Sequence, residues 1–318
     1  GHVPGVTGLG VSGDGGVLVT GGKDGLVRWV DLTSRWYLDG GSGGGGGKNV
    51  TIPESEEMVE LEDFHRSAIT ALAMSPDGSV LATAEEESCA MRLFSLPAVR
   101  KGGCPKGGGG ETEGSSGTRD AADFIGMVTR FGGPVRSIAF SPTGSTLVGA
   151  GDEPGVLKLV HRANLKDVMV IREEDSSRAE CIRGLAYDPL GDYIASVGDK
   201  GSFTIWGIDE QKLVNEHSFS ALGAQACSCA FSPDGHSVAV GLSNSRIDLF
   251  SGRDSKWASR NYSLSTESSD GAASIITIAF APTGHYLVVG DSEGLVTLWS
   301  LKSREPLEKW RSDGPLSQ

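Results

Sequence analysis

The chain lacks any stretch approaching the roughly 20 consecutive apolar residues that a membrane-spanning helix requires, so no such span is expected. Its opening, Gly1-His2-Val3-Pro4, has neither the basic start nor the apolar run of a secretory signal, so secretion is not indicated. Cysteine is sparse: Cys89, Cys104, Cys181, Cys227 and Cys229 make an odd set, which excludes a full disulfide framework and points to free thiols in a reducing compartment. In that setting the glycosylation-type triplets Asn49-Val50-Thr51 and Asn261-Tyr262-Ser263 carry no weight. Basic charge is also short, at 28 Lys and Arg against 41 Asp and Glu. A net charge of -13 repels phosphate backbones, which argues against direct DNA binding and favours basic or mixed-charge protein partners.

What the chain does have is a repeat. A short apolar strand, a four-residue turn, a second apolar strand, a second turn and a third strand ending in a large apolar residue recur six times. The first turns are Ser12-Gly13-Asp14-Gly15, Ser75-Pro76-Asp77-Gly78, Ser141-Pro142-Thr143-Gly144, Asp188-Pro189-Leu190-Gly191, Ser232-Pro233-Asp234-Gly235 and Ala281-Pro282-Thr283-Gly284. Proline presets φ at the second turn position and glycine accepts the strained last one, so each is read as a hairpin. Third strands are expected at Leu26 to Trp29, Met91 to Phe94, Val156 to Val160, Phe203 to Trp206, Arg246 to Phe250 and Leu295 to Trp299. Trp206 and Trp299 fall five residues after the turn glycines Gly201 and Gly294, the offset of a WD signature, whereas Trp29 falls one residue short. The pattern predicts an all-β fold, a WD-repeat β-propeller.

Successive first turns are 63, 66, 47, 44 and 49 residues apart, whereas a minimal four-stranded blade needs roughly 40 to 45. The first two intervals therefore carry insertions: glycine-rich sequence at about 39–48, containing the run Gly43 to Gly47, and at about 101–120. Recognisable repeats lie on both sides of each, so residues 1–318 are read as one domain. No strand pairing the two chain ends is visible, and the expected architecture is a seven-bladed propeller truncated at its closing blade.

Several short motifs fail on register. Gly8 to Gly13 matches a dinucleotide pattern, but that pattern works where a strand turns into a helix, and here a second strand follows. Gly43 to Lys48 resembles a phosphate loop, yet Asn49 stands where a magnesium-binding hydroxyl belongs. Gly40 to Gly44 and Gly290 to Gly294 both fit Gly-x-Ser-x-Gly; the second aligns with the turns Gly198-Asp199-Lys200-Gly201 and Gly22-Lys23-Asp24-Gly25, a hairpin rather than a nucleophile elbow. Cys227-Ser228-Cys229 lacks a second ligand pair for zinc, and Cys229 aligns with Leu72, Ile138, Leu185 and Ile278, a core position. His2 and His65 precede first strands, where a structural hydrogen bond to a turn acid such as Asp24 is expected. The acidic clusters at Glu54 to Asp63, Glu85 to Glu87 and Glu173 to Asp175 read as solvated loops, with a docking face for basic peptides as the sharper alternative. The expectation is a non-enzymatic scaffold with no catalytic, cofactor-binding or metal residues; its partner-binding residues are unknown at this level.

The stretch from Gly1 through Ser12-Gly13-Asp14-Gly15 to Trp29, followed by Asp31-Leu32, resembles the N-terminal propeller of one replisome family. This is the acidic nucleoplasmic DNA-binding protein family, also called the WD-repeat and HMG-box DNA-binding protein, with its fungal chromosome transmission fidelity counterpart. Phe94-Ser95-Leu96-Pro97, Thr129-Arg130-Phe131, Leu249 to Trp257, and Ala281 to Gly290 with Val296 to Trp299 continue the likeness in order. The resemblance implies a nuclear replication-fork adaptor that links the replicative helicase to DNA polymerase alpha. It also implies a seven-bladed first propeller. The family's trimerising second propeller, helical region and HMG box follow this domain, so a homotrimer would form only through regions outside this chain.

Three other functions are weighed, of which a propeller hydrolase would need convergent acidic or His residues around a central channel, whereas the repeat register puts turn and core residues at every motif tested. A ubiquitin-ligase substrate receptor should carry a Trp-Asp-x-Arg type box after a third strand, which Trp206-Gly207-Ile208-Asp209 and Trp299-Ser300-Leu301-Lys302 do not supply. A propeller-type exchange factor for a small GTPase would need a membrane anchor after Gln318. Because loop-closure entropy varies slowly with length, deleting Gly43 to Gly47 should shift stability by under about 0.5 kcal/mol. A thermal melt of the deletion variant checks this, and a large loss would show that the run is structural.

Overall fold

The computed structural model describes residues 5–13, 15–31, 59–61, 65–96, 122–266 and 273–311. They form six four-stranded antiparallel sheets, each built from consecutive strands. The first is β1 (Val6–Val11), β2 (Val17–Gly22), β3 (Val27–Asp31) and β4 (Val59–Leu61), and the second is β5 (Ile69–Met74), β6 (Val80–Glu85), β7 (Met91–Ser95) and β8 (Asp123–Val128). The third runs β9 (Val135–Phe140), β10 (Thr146–Gly151), β11 (Val156–His161) and β12 (Asp167–Arg172), and the fourth β13 (Ile182–Tyr187), β14 (Tyr193–Gly198), β15 (Ser202–Gly207) and β16 (Lys212–Ser218). The fifth is β17 (Ala226–Phe231), β18 (Ser237–Leu242), β19 (Arg246–Ser251) and β20 (Ser259–Ser265), and the sixth β21 (Ile275–Phe280), β22 (Tyr286–Asp291), β23 (Leu295–Ser300) and β24 (Glu305–Arg311). The fold is a β-propeller whose expected hairpins and third strands fall where the repeat places them.

The turn residues explain the hairpins. Gly15, Gly78, Gly144, Gly191, Gly235 and Gly284 all have φ between 68° and 90°, a region that an L side chain rarely occupies. In four of the six turns the leading serine hydroxyl accepts the amide of the second residue after the glycine: Ser12 from Val17, Ser75 from Val80, Ser141 from Thr146 and Ser232 from Ser237, at 2.8–3.2 Å. A buried amide at the start of each second strand is thereby satisfied.

First strands line the axis and pack on one another in order, from β1 through β5, β9, β13 and β17 to β21. Between neighbouring blades the facing sheets enclose apolar clusters. Phe203, Ile205 and Val197 of blade four meet Val238, Val240 and Phe250 of blade five, and Ala239, Ile247, Leu249 and Leu264 of blade five meet Ile275, Leu287 and Trp299 of blade six.

Blade six has no such neighbour on its other side, since β21 and β1 share no comparable contact. By strand register Val288, Val296, Leu298 and Trp310 repeat the positions of Ala239, Ile247, Leu249 and Leu264. Val288 is 37% exposed and Trp310 47%. Across the gap, Val6, Leu9 and Val11 repeat the positions by which Ile69, Leu72 and Met74 cover blade one, yet they are 43%, 60% and 49% exposed. Two apolar sheet faces thus flank one seam. The expected closing blade has no strand among the described residues, and none of the six blades joins strands from the two chain ends.

The tryptophan offsets hold. Trp206 pairs with Ile194 and Trp299 with Leu287, whereas Trp29 pairs with Val19, one position earlier, and Val30 takes the signature place. Trp206 donates its indole N–H to Ser196 at 2.7 Å. Val289 replaces that serine in blade six, so the buried Trp299 indole nitrogen has no acceptor.

Blade four departs from the serine turns with Asp188, whose side chain is fully buried and ion-paired to Arg253 Nη1 at 2.7 Å. Arg253 also lies over Tyr193 and Trp257, 5.2 and 5.7 Å from their ring centroids, and so joins blades four and five. Arg253→Met should strand a buried carboxylate and destabilise by about 3 kcal/mol. Adding Asp188→Ser, which restores the residue used in the sister turns, should recover most of that loss. Chemical denaturation of both variants checks the pair; a double variant no more stable than Arg253→Met refutes the burial argument.

Candidate functional site

The six first strands enclose an axial cavity of about 600 Å³. Each of these strands carries a β-bulge near its start: the ladder skips Thr7, Thr70, Arg136, Arg183, Cys227 and Ile276 in turn. A bulge re-aims the extra side chain, and all six residues line the cavity. Two residues further along, Leu9, Leu72, Ile138, Leu185, Cys229 and Ile278 form an apolar collar. The position read from sequence as core is therefore also channel wall. Burial pushes the Cys229 thiol up to about 12, and burial likewise raises Cys227, so both thiols stay protonated near neutrality.

The mouth is charged on one side. Arg136 donates through Nε and Nη2 to the two carboxylate oxygens of Asp152 at 2.8–3.1 Å. Arg183 Nη1 donates to the same carboxylate at 3.0 Å. The hydrogen bonds from Arg136 hold Asp152 below the usual carboxylate range. Lys23 and Glu86 complete the rim. Two guanidiniums share one carboxylate, and their second partners are distant: Arg136 Nη1 lies 3.7 Å from Glu86 and Arg183 Nη2 lies 4.0 Å from Asp199. Sequence reading missed these arginines, because a bulge that turns a strand residue into the channel leaves no mark in alternation.

Of the residues singled out earlier, Cys227, Ser228 and Cys229 sit in the channel wall, and Ser228 donates to the Ile275 carbonyl at 3.0 Å across to blade six. Gly290 to Gly294 ends β22 and forms its turn, with the Asp291 carboxylate accepting the Glu293 and Leu295 amides. Gly8 to Gly13 runs along β1 into its turn. His2, Gly40 to Lys48 and most of Glu54 to Asp63 lie outside the described residues.

His65 does meet an acid, but it is Glu85 rather than a turn aspartate. Burial works against the charge on Glu85, yet the Arg66 amide and Arg92 outweigh it and hold its pKa below normal. Arg92 Nη1 sits 2.6 Å from Glu85 and 3.2 Å from His65 Nδ1. An arginine can only donate, so Nδ1 accepts, and Nε2–H donates to the Thr83 hydroxyl at 2.9 Å. Burial and the adjacent Arg92 charge hold the imidazole neutral and lower its pKa to about 4. These contacts tie the rim of blade two together.

The WD domain, G-beta repeat pattern matches residues 1–31, 59–95, 127–159 and 262–300, so these four segments are similar to WD repeats. Protein HIR1 of Yarrowia lipolytica is 24% identical over 250 residues, covering 72% of this chain and 22% of that protein. Autophagy-related protein 18 of Dictyostelium discoideum is 47% identical over 45 residues, covering 14% of this chain and 12% of that protein. The chain thus spans less than a quarter of either relative.

The neutral His65 has a pH consequence. Its folded pKa lies below the ordinary 6.5, so between those values the unfolded chain binds a proton that the folded one does not. The stability is fully present above pH 6.5 and is lost as pH falls toward 4. Between pH 7 and 5 the loss should reach about 2 kcal/mol. In His65→Gln, which has no titrating group, the fall over that window should be shallower by this amount, measured as the difference in denaturation midpoints.

Proposed function

We propose that this WD propeller is a non-enzymatic docking domain, the first domain of a nuclear replication-fork adaptor that joins the replicative helicase to DNA polymerase alpha. The observation that carries the docking role is the channel mouth, where six bulged positions hold differing side chains over an apolar collar. Docking surfaces of this kind pair an apolar centre with a polar rim. The in-order resemblance from Gly1 to Trp299 supports the replication assignment, and the net charge of -13 supports protein rather than DNA as the ligand. The two uncovered faces at Val288 and Leu9 support a ring completed by a seventh blade. Trimerisation and box-mediated DNA contact belong, on this reading, to other parts of the full-length protein.

Direct binding tests this. The purified chain, immobilised and confirmed folded by circular dichroism, is exposed separately to reconstituted replicative helicase and to DNA polymerase alpha. Binding of at least one at micromolar or tighter affinity, about -8 kcal/mol, is expected. Failure of both to bind overturns the replication assignment.

A further inference from the structure

We propose that the channel mouth binds an extended partner segment through a carboxylate side chain held by Arg136 and Arg183, with an adjoining apolar side chain lodged against Cys227, Ile276 and the collar beneath. The inference rests on the docking role proposed above and names the partner chemistry of that same site.

The six bulged positions are equivalent by register but divide into unlike halves. Thr7 and Thr70 bring hydroxyls and Arg136 and Arg183 bring guanidiniums, whereas Cys227 and Ile276 bring soft, apolar surface. Thr70 is already committed to the Val135 carbonyl at 2.6 Å, and Thr7 to the Gly21 carbonyl at 3.2 Å. The arginines are less committed. Asp152 serves both, and the remaining guanidinium ends reach Glu86 and Asp199 only at 3.7 and 4.0 Å, so each arginine keeps a donor edge that no carboxylate engages within hydrogen-bond reach. These are ion-pair distances beyond hydrogen-bond reach. A carboxylate entering between them would gain charge-assisted, geometrically matched donors. Arg183 is the more exposed member: its side chain is 41% exposed, against 24% for Arg136.

Side chains in an extended segment alternate sides, so neighbouring residues reach opposite walls of a narrow mouth. A carboxylate on one side of the channel and an apolar group on the other is the pair that these walls accept. A cavity of about 600 Å³ admits a few side chains rather than a folded element. Blades three and four, which carry the arginines, are the pair furthest from the open seam, so closure of the ring does not create or remove this half of the site.

The probe is an array of short extended peptides that places every dipeptide in a constant glycine-serine frame, read with the labelled full chain. Asp or Glu beside Leu, Ile, Met or Phe should be enriched, and replacing the acid by its amide should weaken binding about tenfold. Arg183→Glu should abolish the acidic preference and shift it toward Lys and Arg, while the thermal melt stays near that of the parent. If Arg183→Glu does not fold, Arg183→Gln must lower the acidic preference without creating a basic one. Absence of acidic enrichment on the parent chain, or an unchanged preference in a folded Arg183 variant, overturns the proposal. Either result leaves binding of the intact helicase or polymerase, measured separately, as it stands.

Discussion

A four-stranded WD blade cannot bury its own faces. Each sheet here is apolar on both sides, as Ala239 and Val240 on one strand of blade five show by facing opposite neighbours. Such a sheet is stable only when another lies against each face, so stability is a property of interfaces between repeats rather than of repeats. The small and branched residues of the second strands follow from this, because close sheet packing leaves little room near the axis. The seam follows as well. Blade six and blade one present to solvent the same positions that are sealed at the five internal interfaces. At roughly 25 cal/mol per Å² of apolar area, the uncovered faces represent a driving force that a covering blade would capture.

The same constraint governs where charge enters the interior. A carboxylate between packed sheets is costly unless paired, and the two clearest cases are met from opposite directions. Asp188, buried in a turn where serine is the rule, is answered by Arg253 reaching over from the next blade. Glu85 is answered within its own blade by Arg92, which also fixes the neighbouring histidine as a neutral acceptor. Replacement of Asp188 by a small hydroxyl is cheap because four sister turns already carry serine there; removal of Arg253 alone is not.

Much of this architecture is legible in the sequence because turns and buried strands obey strong local rules. Ser-Pro-Asp-Gly demands a positive φ at one residue, and runs such as Val80 to Ala84 are buried along their whole length in the sheet interior. Trp29 could be placed one register away from Trp206 by counting alone, and the structure agrees. The outer strands were another matter. Lys212 to Ser218 and Glu305 to Arg311 are polar or exposed along most of their length, so neither period nor composition separates them from loops. Bulges were invisible too, since an extra residue in one strand is defined only by its partner. Arg136 and Arg183 consequently carry nothing in the sequence that separates them from ordinary surface charges.

That last failure locates the function-bearing information. In a repeat protein, what the repeats share is what makes them pack, and sequence reading finds it because it recurs. Recognition needs the opposite, positions where the scaffold imposes one geometry and leaves the chemistry free. The bulge is such a position: every inner strand makes it, so every blade delivers one side chain to the same ring, yet the six residues are Thr, Thr, Arg, Arg, Cys and Ile. The collar below shows the contrast, since five of its six members are Leu or Ile and the sixth is a buried thiol. A tier that varied merely through neutral drift would tolerate its arginines pointing outward to water. Here both are instead tied to a shared Asp152, which fixes their direction at the expense of their hydrogen-bond saturation. Oriented and incompletely satisfied donors around a rigid opening are the condition for selective capture of an acceptor, and they arise from an irregularity that the fold repeats in every blade.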